Sequence, residues 1–436
     1  MTTPSATEAT GTAGRRAGRL PSGSRALSIG SLVGQAVAAV GMLVAVRHFD
    51  AADFGALGVF AAVAIVIGTL GTGRLEAAIP IPGRDGRALA IATLAALLLV
   101  PVVAIACGLA FAAAPFIPPS PDLPPIADRI PALAIGGLGV GVRSILLGWT
   151  TRRRAVRTIA TARAANGVVT GTTMAIGALV RPELDLLLAA WIGGQWIEAI
   201  VLLVGSGRDP AVCTARRSRL GLGRTWRRYR RFPRVLLWGH LLDQTMNHLP
   251  TVTLATAYSV EVAGVFVVVH RIVIQPAAIL GSAVSVALLS EAAARARARG
   301  SFRPVLDAAL VRLLATTAAI FVPLAIAGPW LLPIAVGPEL ESSGLVLLAI
   351  LPAAAADLVA MPVLPLLGLL ERLATQTTGS LCRAAIIVGT LTAGAVAGLG
   401  PIAAIAVMAV STVMLDAVLV QATRHAAGRG TSASIS

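Results

Sequence analysis

The sequence has few charged residues for its length. Only 13% of its 436 residues are charged and 56% are hydrophobic, whereas soluble domains average about 25% charged residues. It contains no lysine, so all 36 basic residues are arginine and the choice of arginine says little about ligands. The three cysteines, Cys107, Cys213 and Cys382, lie in unrelated segments without CxxC spacing or a neighbouring histidine. This composition argues against a soluble globular protein, and it predicts no disulfide framework, no zinc site and no cofactor.

Common enzyme signatures are also missing. The sequence has no GxxxxGK[ST] phosphate-binding loop, no HExxH and no GxSxG, and no hydrophilic segment is long enough for a nucleotide-binding domain. We therefore expect neither an enzyme nor an ATP-driven pump.

Long apolar runs recur along the chain from about residue 23 to 424. A membrane-spanning helix needs about 20 such residues, so the sequence predicts an all-α, polytopic membrane protein with about twelve transmembrane helices. The predicted limits are 24–46, 54–79, 88–113, 130–150, 158–180, 184–206, 233–257, 264–289, 305–333, 344–368, 376–398 and 401–423.

The arginines are distributed unevenly over the loops that this count defines. The even-numbered loops and the two termini hold 27 of them, whereas the odd-numbered loops hold only Arg47, Arg129 and Arg181 together with nine acids. Cytoplasmic loops carry the excess of positive charge, so both termini are predicted to face the cytoplasm. The basic residues then flank membrane spans, which argues against nucleic acid as the partner behind the net charge of +16.

The long basic connector divides the chain in two. We predict a disordered cytoplasmic tail (1–22), an amino-terminal six-helix bundle (23–206), a basic cytoplasmic linker (207–232), a carboxyl-terminal six-helix bundle (233–424) and a second tail (425–436). A shift of 209 residues aligns seven identical residues in thirty-five positions, among them Gly55 with Gly264. Repeats of six spans have parallel topology, so a pseudo-two-fold axis along the membrane normal is expected, with substrate bound between the halves.

Aromatic residues are interspersed with arginines in the second part of the linker. Trp226, Tyr229 and Phe232 would then enter the interface of an anionic inner leaflet. The alternative is that the positive charge only fixes the topology.

Six arginines fall inside predicted spans. An arginine that faces lipid at mid-bilayer costs about 2.5–3.5 kcal/mol, so several of them should face an aqueous, electropositive cavity. Snorkelling or ion pairing is the alternative for each. Arg74 and Glu76, two residues apart, would not share a helix face. The six are Arg74, Arg143, Arg163, Arg271, Arg312 and Arg383.

The seventh predicted span has a broad polar face, which indicates a helix that lines the cavity or forms interhelical hydrogen bonds. Its cavity-lining candidates are His240, Gln244 and Asn247, and those of the equivalent first span are Ser31 and Gln35. Acids within spans could bind a coupling ion or neutralise an arginine. Asp243, near His240, is the first candidate for ion coupling, and Glu198 is the second; the remaining intramembrane acids are Asp357 and Asp416.

Residues 46–80 resemble the amino-terminal signature of the polysaccharide biosynthesis proteins, the Wzx-like oligosaccharide-lipid flippases of the MATE-like exporter superfamily. The similar features are an arginine-aromatic opening, an acid before Phe54-Gly55, and Arg74-Leu75-Glu76 followed by an Ala-Ile pair. The second half resembles them at Tyr258–Gly264, Arg271 and Ser290-Glu291.

The resemblance implies two six-helix bundles that carry an undecaprenyl-diphosphate-linked glycan across the bacterial cytoplasmic membrane by alternating access. Guanidinium groups bind phosphate oxygens bidentately, so the diphosphate would bind Arg143, Arg163, Arg271 and Arg383, with Arg74 as a further candidate. Glycosyltransferases and a glycan polymerase would be partners. Two rivals stay open: a cation-coupled multidrug exporter of the same fold and a non-transporting scaffold for envelope synthesis.

Overall fold

The chain is helical throughout the part that the structure describes. The computed structural model describes residues 34, 36–113, 115, 126–207, 221–230, 232–274, 284, 285, 288, 291, 303–337, 340, 342–369 and 373–428. Within these ranges there is no β-strand.

Six helices form the amino-terminal half. They are α1 (Ala36–Ala45), α2 (Ala51–Thr72), α3 (Asp85–Ala113), α4 (Ile126–Arg152), α5 (Val156–Val180) and α6 (Leu184–Gly207). Six more form the carboxyl-terminal half: α7 (Leu237–Ala257), α8 (Val260–Val269), α9 (Arg303–Val336), α10 (Ser343–Val363), α11 (Leu373–Val396) and α12 (Pro401–Gly428). One turn of helix, Leu366–Leu369, follows α10. Ten of these helices lie close to predicted spans, whereas α1 and α8 cover only part of the spans 24–46 and 264–289, whose other residues lie largely outside the described part of the chain.

Eight of the described helices are long and apolar enough to cross a membrane. α5 and α7 do not reach that hydropathy, because both carry polar residues along their length. α9 is apolar but little buried, since only 22% of its most apolar window is buried within the protein. Its exposed side chains include Ile326, Trp330 and Ile334, as expected for a helix whose outer face contacts lipid.

α2 ends earlier than the sequence predicts. Gly73, with φ of 58°, caps it in the left-handed conformation, and its backbone N–H donates to the carbonyl of Leu70. Glycine adopts this conformation without steric cost. A 3₁₀ turn, Leu75–Ala78, then replaces the last turns of the predicted span 54–79.

The two halves meet where α2 packs against α7 and α8. A methyl group added to Gly55 would overlap the backbone carbonyl of Val260, and one added to Gly264 would overlap that of Ala51. The shift of 209 residues relates Gly55 to Gly264 and Ala51 to Val260, so the two contacts are copies of one another. Such reciprocity is the mark of a two-fold interface, and it locates the pseudo-two-fold axis between α2 and α8.

Arg47 forms a second contact between the halves. Its Nε donates to the carbonyl of Ala335 at 3.1 Å and its Nη2 to that of Ile334 at 3.4 Å. These carbonyls lie in the last turn of α9, where they have no partner within the helix. Arg47, the first arginine of the segment 46–80 that resembles the flippases, therefore caps a helix of the opposite half.

The linker aromatics are arranged differently from the prediction. A helix spans Leu222–Tyr229, and a π-helical turn spans Phe232–Leu236. Tyr229 is buried in the main hydrophobic core, and its ring lies 6.1 Å from that of Phe232, which packs against this core and is partly buried. Of the three rings, that of Trp226 is exposed. The prediction that all three rings enter the lipid interface is therefore wrong for Tyr229.

Candidate functional site

The amino-terminal half contains a polar cavity of about 260 Å³, here called the amino-half cavity. α2, α4 and the 3₁₀ turn form its walls. Two arginines and several hydroxyl groups line it: Arg74, Arg143, Thr69, Thr72, Ser144 and Thr151. Its groups can donate hydrogen bonds to an anion or to sugar hydroxyls.

Arg143 lines this cavity and forms an ion pair with Glu198, which lies behind the lining residues. Its Nη1 lies 3.6 Å from Oε2 of Glu198, and the Asn166 amide donates to the same oxygen at 3.0 Å. Glu198 is 3% exposed, so its charge depends on these two partners. The group ties α4, α5 and α6 together. Glu198 is thus a partner of an arginine, which was the alternative to ion coupling.

Arg74 has an unusual backbone. Its φ is 62°, a conformation that non-glycine residues rarely adopt and that costs roughly 1–2 kcal/mol. Its Nη1 pairs with Oε1 of Glu76 at 3.0 Å. The prediction that these two side chains do not meet is wrong, because it assumed a continuous helix and the helix ends at Gly73. Arg74 Nε, Glu76 Oε2 and Arg143 Nε are buried without a hydrogen bond, so the side chains around the cavity are incompletely paired.

A second cavity, of about 90 Å³, lies in the carboxyl-terminal half and is here called the carboxyl-half cavity. Polar groups from four helices and from the π-helical turn after α8 line it: Asn247, His270, Asp357, Arg383 and Thr412. Arg383 on α11 bridges two acids. Its Nη1 donates to Asp357 of α10 at 2.6 Å, and its Nη2 contacts both carboxylate oxygens of Asp416 on α12.

Arg271 lies beside this cavity in a π-helical turn, His270–Ile274, that continues α8. π-Helical turns are rare and occur frequently at functional sites. The turn places Arg271 near enough to His248 of α7 for the two side chains to interact electrostatically, while the ring of His270 stacks on Phe266 at 6.0 Å. Among the described residues no carboxylate lies within 4 Å of the Arg271 guanidinium.

The charges at the two sites nearly balance. Arg74 and Arg143 meet Glu76 and Glu198 in the amino-terminal half, and Arg383 meets two aspartates in the other. The expectation of a strongly electropositive cavity is therefore wrong at these two sites. Arg271 lies next to the carboxyl-half cavity and brings the described charges there to two arginines and two carboxylates, but no carboxylate among the described residues pairs with it directly.

The remaining predicted residues are dispersed. Arg163 on α5 and Arg312 on α9 are exposed and line neither cavity, whereas Asn247 lines the carboxyl-half cavity as predicted. Ser31 and Gln35 lie outside the described residues. His240, Asp243 and Gln244 belong to α7, but their side chains lie outside the described part of the structure. Asp357 and Asp416, which the sequence marks only as further intramembrane acids, belong to the site, and so does His270, which the sequence does not single out.

Comparison with protein-family models and with curated proteins finds no match to the sequence. Solved structures do match along almost the whole chain. The lipid II flippase MurJ, in an inward closed conformation, gives a TM-score of 0.66 at 10% identity over 91% of this chain and 87% of its own. An inward-facing MATE-family multidrug resistance transporter of the MOP superfamily gives 0.61 at 14% identity, over 95% and 100%. The MATE transporter ClbM, in complex with Rb⁺, gives 0.53 at 13% identity, over 92% and 93%.

The chain therefore shares the fold of these solved structures, and its described helices form two bundles related by a pseudo-two-fold axis. At these identities the likeness establishes the fold, and the substrate must be argued from the site.

Proposed function

We propose that this multi-pass membrane protein is a flippase. It moves a polyprenyl-diphosphate-linked oligosaccharide, or a related precursor of a cell-envelope polysaccharide, across the bacterial cytoplasmic membrane by alternating access between its two bundles. Both termini face the cytoplasm, and the basic linker lies on the anionic inner leaflet. Glycosyltransferases and a glycan polymerase supply and consume the lipid-linked glycan.

The position of Arg271 beside the carboxyl-half cavity gives the strongest support for this proposal. No carboxylate among the described residues pairs with the Arg271 guanidinium. An unpaired guanidinium is expensive within a membrane, and its retention beside a cavity is explained by an anionic ligand. A diphosphate offers the oxygens that guanidinium groups bind most strongly. The hydroxyl groups and guanidinium donors of the amino-half cavity suit the polar remainder of the same substrate.

One observation favours a second candidate, a cation-coupled multidrug exporter. Asp357 is half exposed to its cavity, and a carboxylate in such a position attracts a cationic drug or a coupling cation. The pairing of Asp357 with Arg383 opposes this role, because the guanidinium already holds the place that a cation would take.

Transport of a fluorescent undecaprenyl-diphosphate oligosaccharide in proteoliposomes tests the proposal. We expect Arg271→Ala to lower the initial rate at least about tenfold, as the loss of one charge-assisted hydrogen bond to the substrate would. The melting temperature should not fall, since no carboxylate in the described part of the chain loses its partner through this substitution.

Arg312→Ala is the matched control, because Arg312 also lies in a spanning helix but is exposed away from both cavities. It should transport at the rate of the unmodified protein. Extrusion of a cationic dye without glycan movement would favour the exporter, and movement of neither would favour the scaffold.

A further inference from the structure

The two carboxylates that hold Arg383 differ in their access to the carboxyl-half cavity. The Asp416 side chain is 3% exposed and contacts Nη2 through both oxygens. The Asp357 side chain is 47% exposed and accepts one hydrogen bond, from Nη1. Asp416 is thus a fixed anchor, whereas Asp357 is held by a single bond at the cavity surface.

Arg383 is itself within reach of the cavity. Its side chain is 23% exposed, and it lines the cavity beside Asp357, His270 and Asn247. If Asp357 turned away, the Nη1 edge of the guanidinium would point into the cavity with Nη2 still held by Asp416. The open edge of a guanidinium with its other side anchored is a preorganised donor for a phosphate oxygen.

The surrounding charges would then favour an anion. Arg271 follows His270 in the π-helical turn, and His248 and His270 both lie close enough to Arg271 to interact with it electrostatically. With Asp357 displaced, the two arginines would face one remaining carboxylate among the described side chains, that of Asp416. With Asp357 in place, the two arginines and the two carboxylates balance, which avoids an uncompensated buried charge in the empty protein.

From this arrangement we propose that Asp357 is an internal stand-in for the substrate phosphate. It occupies the anion-binding edge of Arg383 while the transporter is empty. A phosphate or diphosphate group displaces it, and its return to Arg383 promotes release of the substrate. The inference rests on the proposed function and deepens it, because it assigns the diphosphate subsite to Arg383 and gives Asp357 the role of competitor.

The sign of one substitution distinguishes a competitor from a ligand. Asp357→Asn removes the competing charge, so we expect diphosphate to bind about tenfold more tightly than to the unmodified protein. A carboxylate that binds a cation or only stabilises the fold would give no such gain. The measurement is isothermal titration calorimetry of the full chain in nanodiscs of zwitterionic phosphatidylcholine, with inorganic pyrophosphate in one arm and farnesyl diphosphate in the other.

The two arms separate the sources of the phosphate. A gain with both probes assigns the site to the diphosphate itself, and a gain with farnesyl diphosphate alone assigns it to a lipid-linked diphosphate; both outcomes support the proposal. Unchanged or weaker binding of both probes overturns it.

Two further variants keep the result specific. Asp307 does not line this cavity, and its carboxylate pairs with Arg424 at a distance of 2.6 Å. Asp307→Asn should therefore leave the affinity for diphosphate unchanged. Asp357→Asn combined with Arg383→Gln should lose the gain; if the gain persists, Arg383 is not the site. Because these are binding measurements, they can fail while Arg271-dependent flipping stands, and flipping can fail while they succeed.

Discussion

Arg383→Ala is expected to destabilise the protein by about 3–5 kcal/mol, the range for removing one partner of a buried ion pair. The cost comes mainly from Asp416, whose side chain is 3% exposed and would keep its charge without a guanidinium. Because Arg383 links α10, α11 and α12, the loss should also loosen the packing of these helices. The measurement is the melting temperature in detergent, together with the yield of monodisperse protein.

Arg424→Ala provides the comparison. Arg424 also pairs with an aspartate across two helices, α12 and α9, but both side chains are partly exposed and such pairs add little. Its melting temperature should stay close to that of the unmodified protein. The double variant Arg383→Leu, Asp416→Leu should recover most of the stability, because it leaves no unpaired charge at Asp416. If Arg383→Ala is as stable as Arg424→Ala, the triad of Arg383, Asp357 and Asp416 does not stabilise the fold.

Gly55→Ala and Gly264→Ala are each expected to destabilise the contact between the halves by about 1–3 kcal/mol or more, the range for overpacking. The added methyl group meets a backbone carbonyl in both cases, and a carbonyl within a helix cannot rotate away. Since the two positions are related by the pseudo-two-fold axis, the two substitutions should lower the melting temperature by similar amounts.

Gly108→Ala is the control for these variants. Gly108 lies within α3, and a methyl group there would meet no atom within 4 Å. Alanine is the better helix former by about 1 kcal/mol, so this variant should be as stable as the unmodified protein or more so. Equal stability of all three alanine variants would mean that the halves separate at α2 and α8 without cost.

The sequence predicts the helices well because spanning segments must be apolar over a fixed length. It predicts less about which side chains meet. The approach of Arg74 to Glu76 depends on the left-handed conformation at Gly73, which changes the direction of the chain after α2. The sequence carried a signal for it, since a glycine such as Gly73, directly after the last helical residue Thr72, is a common helix end.

The triad around Arg383 could not be predicted from spacing. Its three members lie on different helices, and their contact depends on how α10, α11 and α12 are rotated about their axes. Composition indicated that intramembrane acids and arginines would pair, but it did not indicate which. For the same reason Arg163 and Arg143, both within amino-terminal spans, have opposite surroundings: one is exposed and the other reaches Glu198.

The reciprocal contact between α2 and α8 also bears on how such a chain arises. A six-helix ancestor would form this interface as a homodimer, so every residue on the axis would face its own copy. In the present chain Gly58 lies on that axis, and a methyl group there would come within 2.7 Å of the side chain of its counterpart, Val267. Two valines would collide at this point and two glycines would leave a void. Fusion of the two genes permits one small and one large residue to fill the same space, which no symmetric dimer could do.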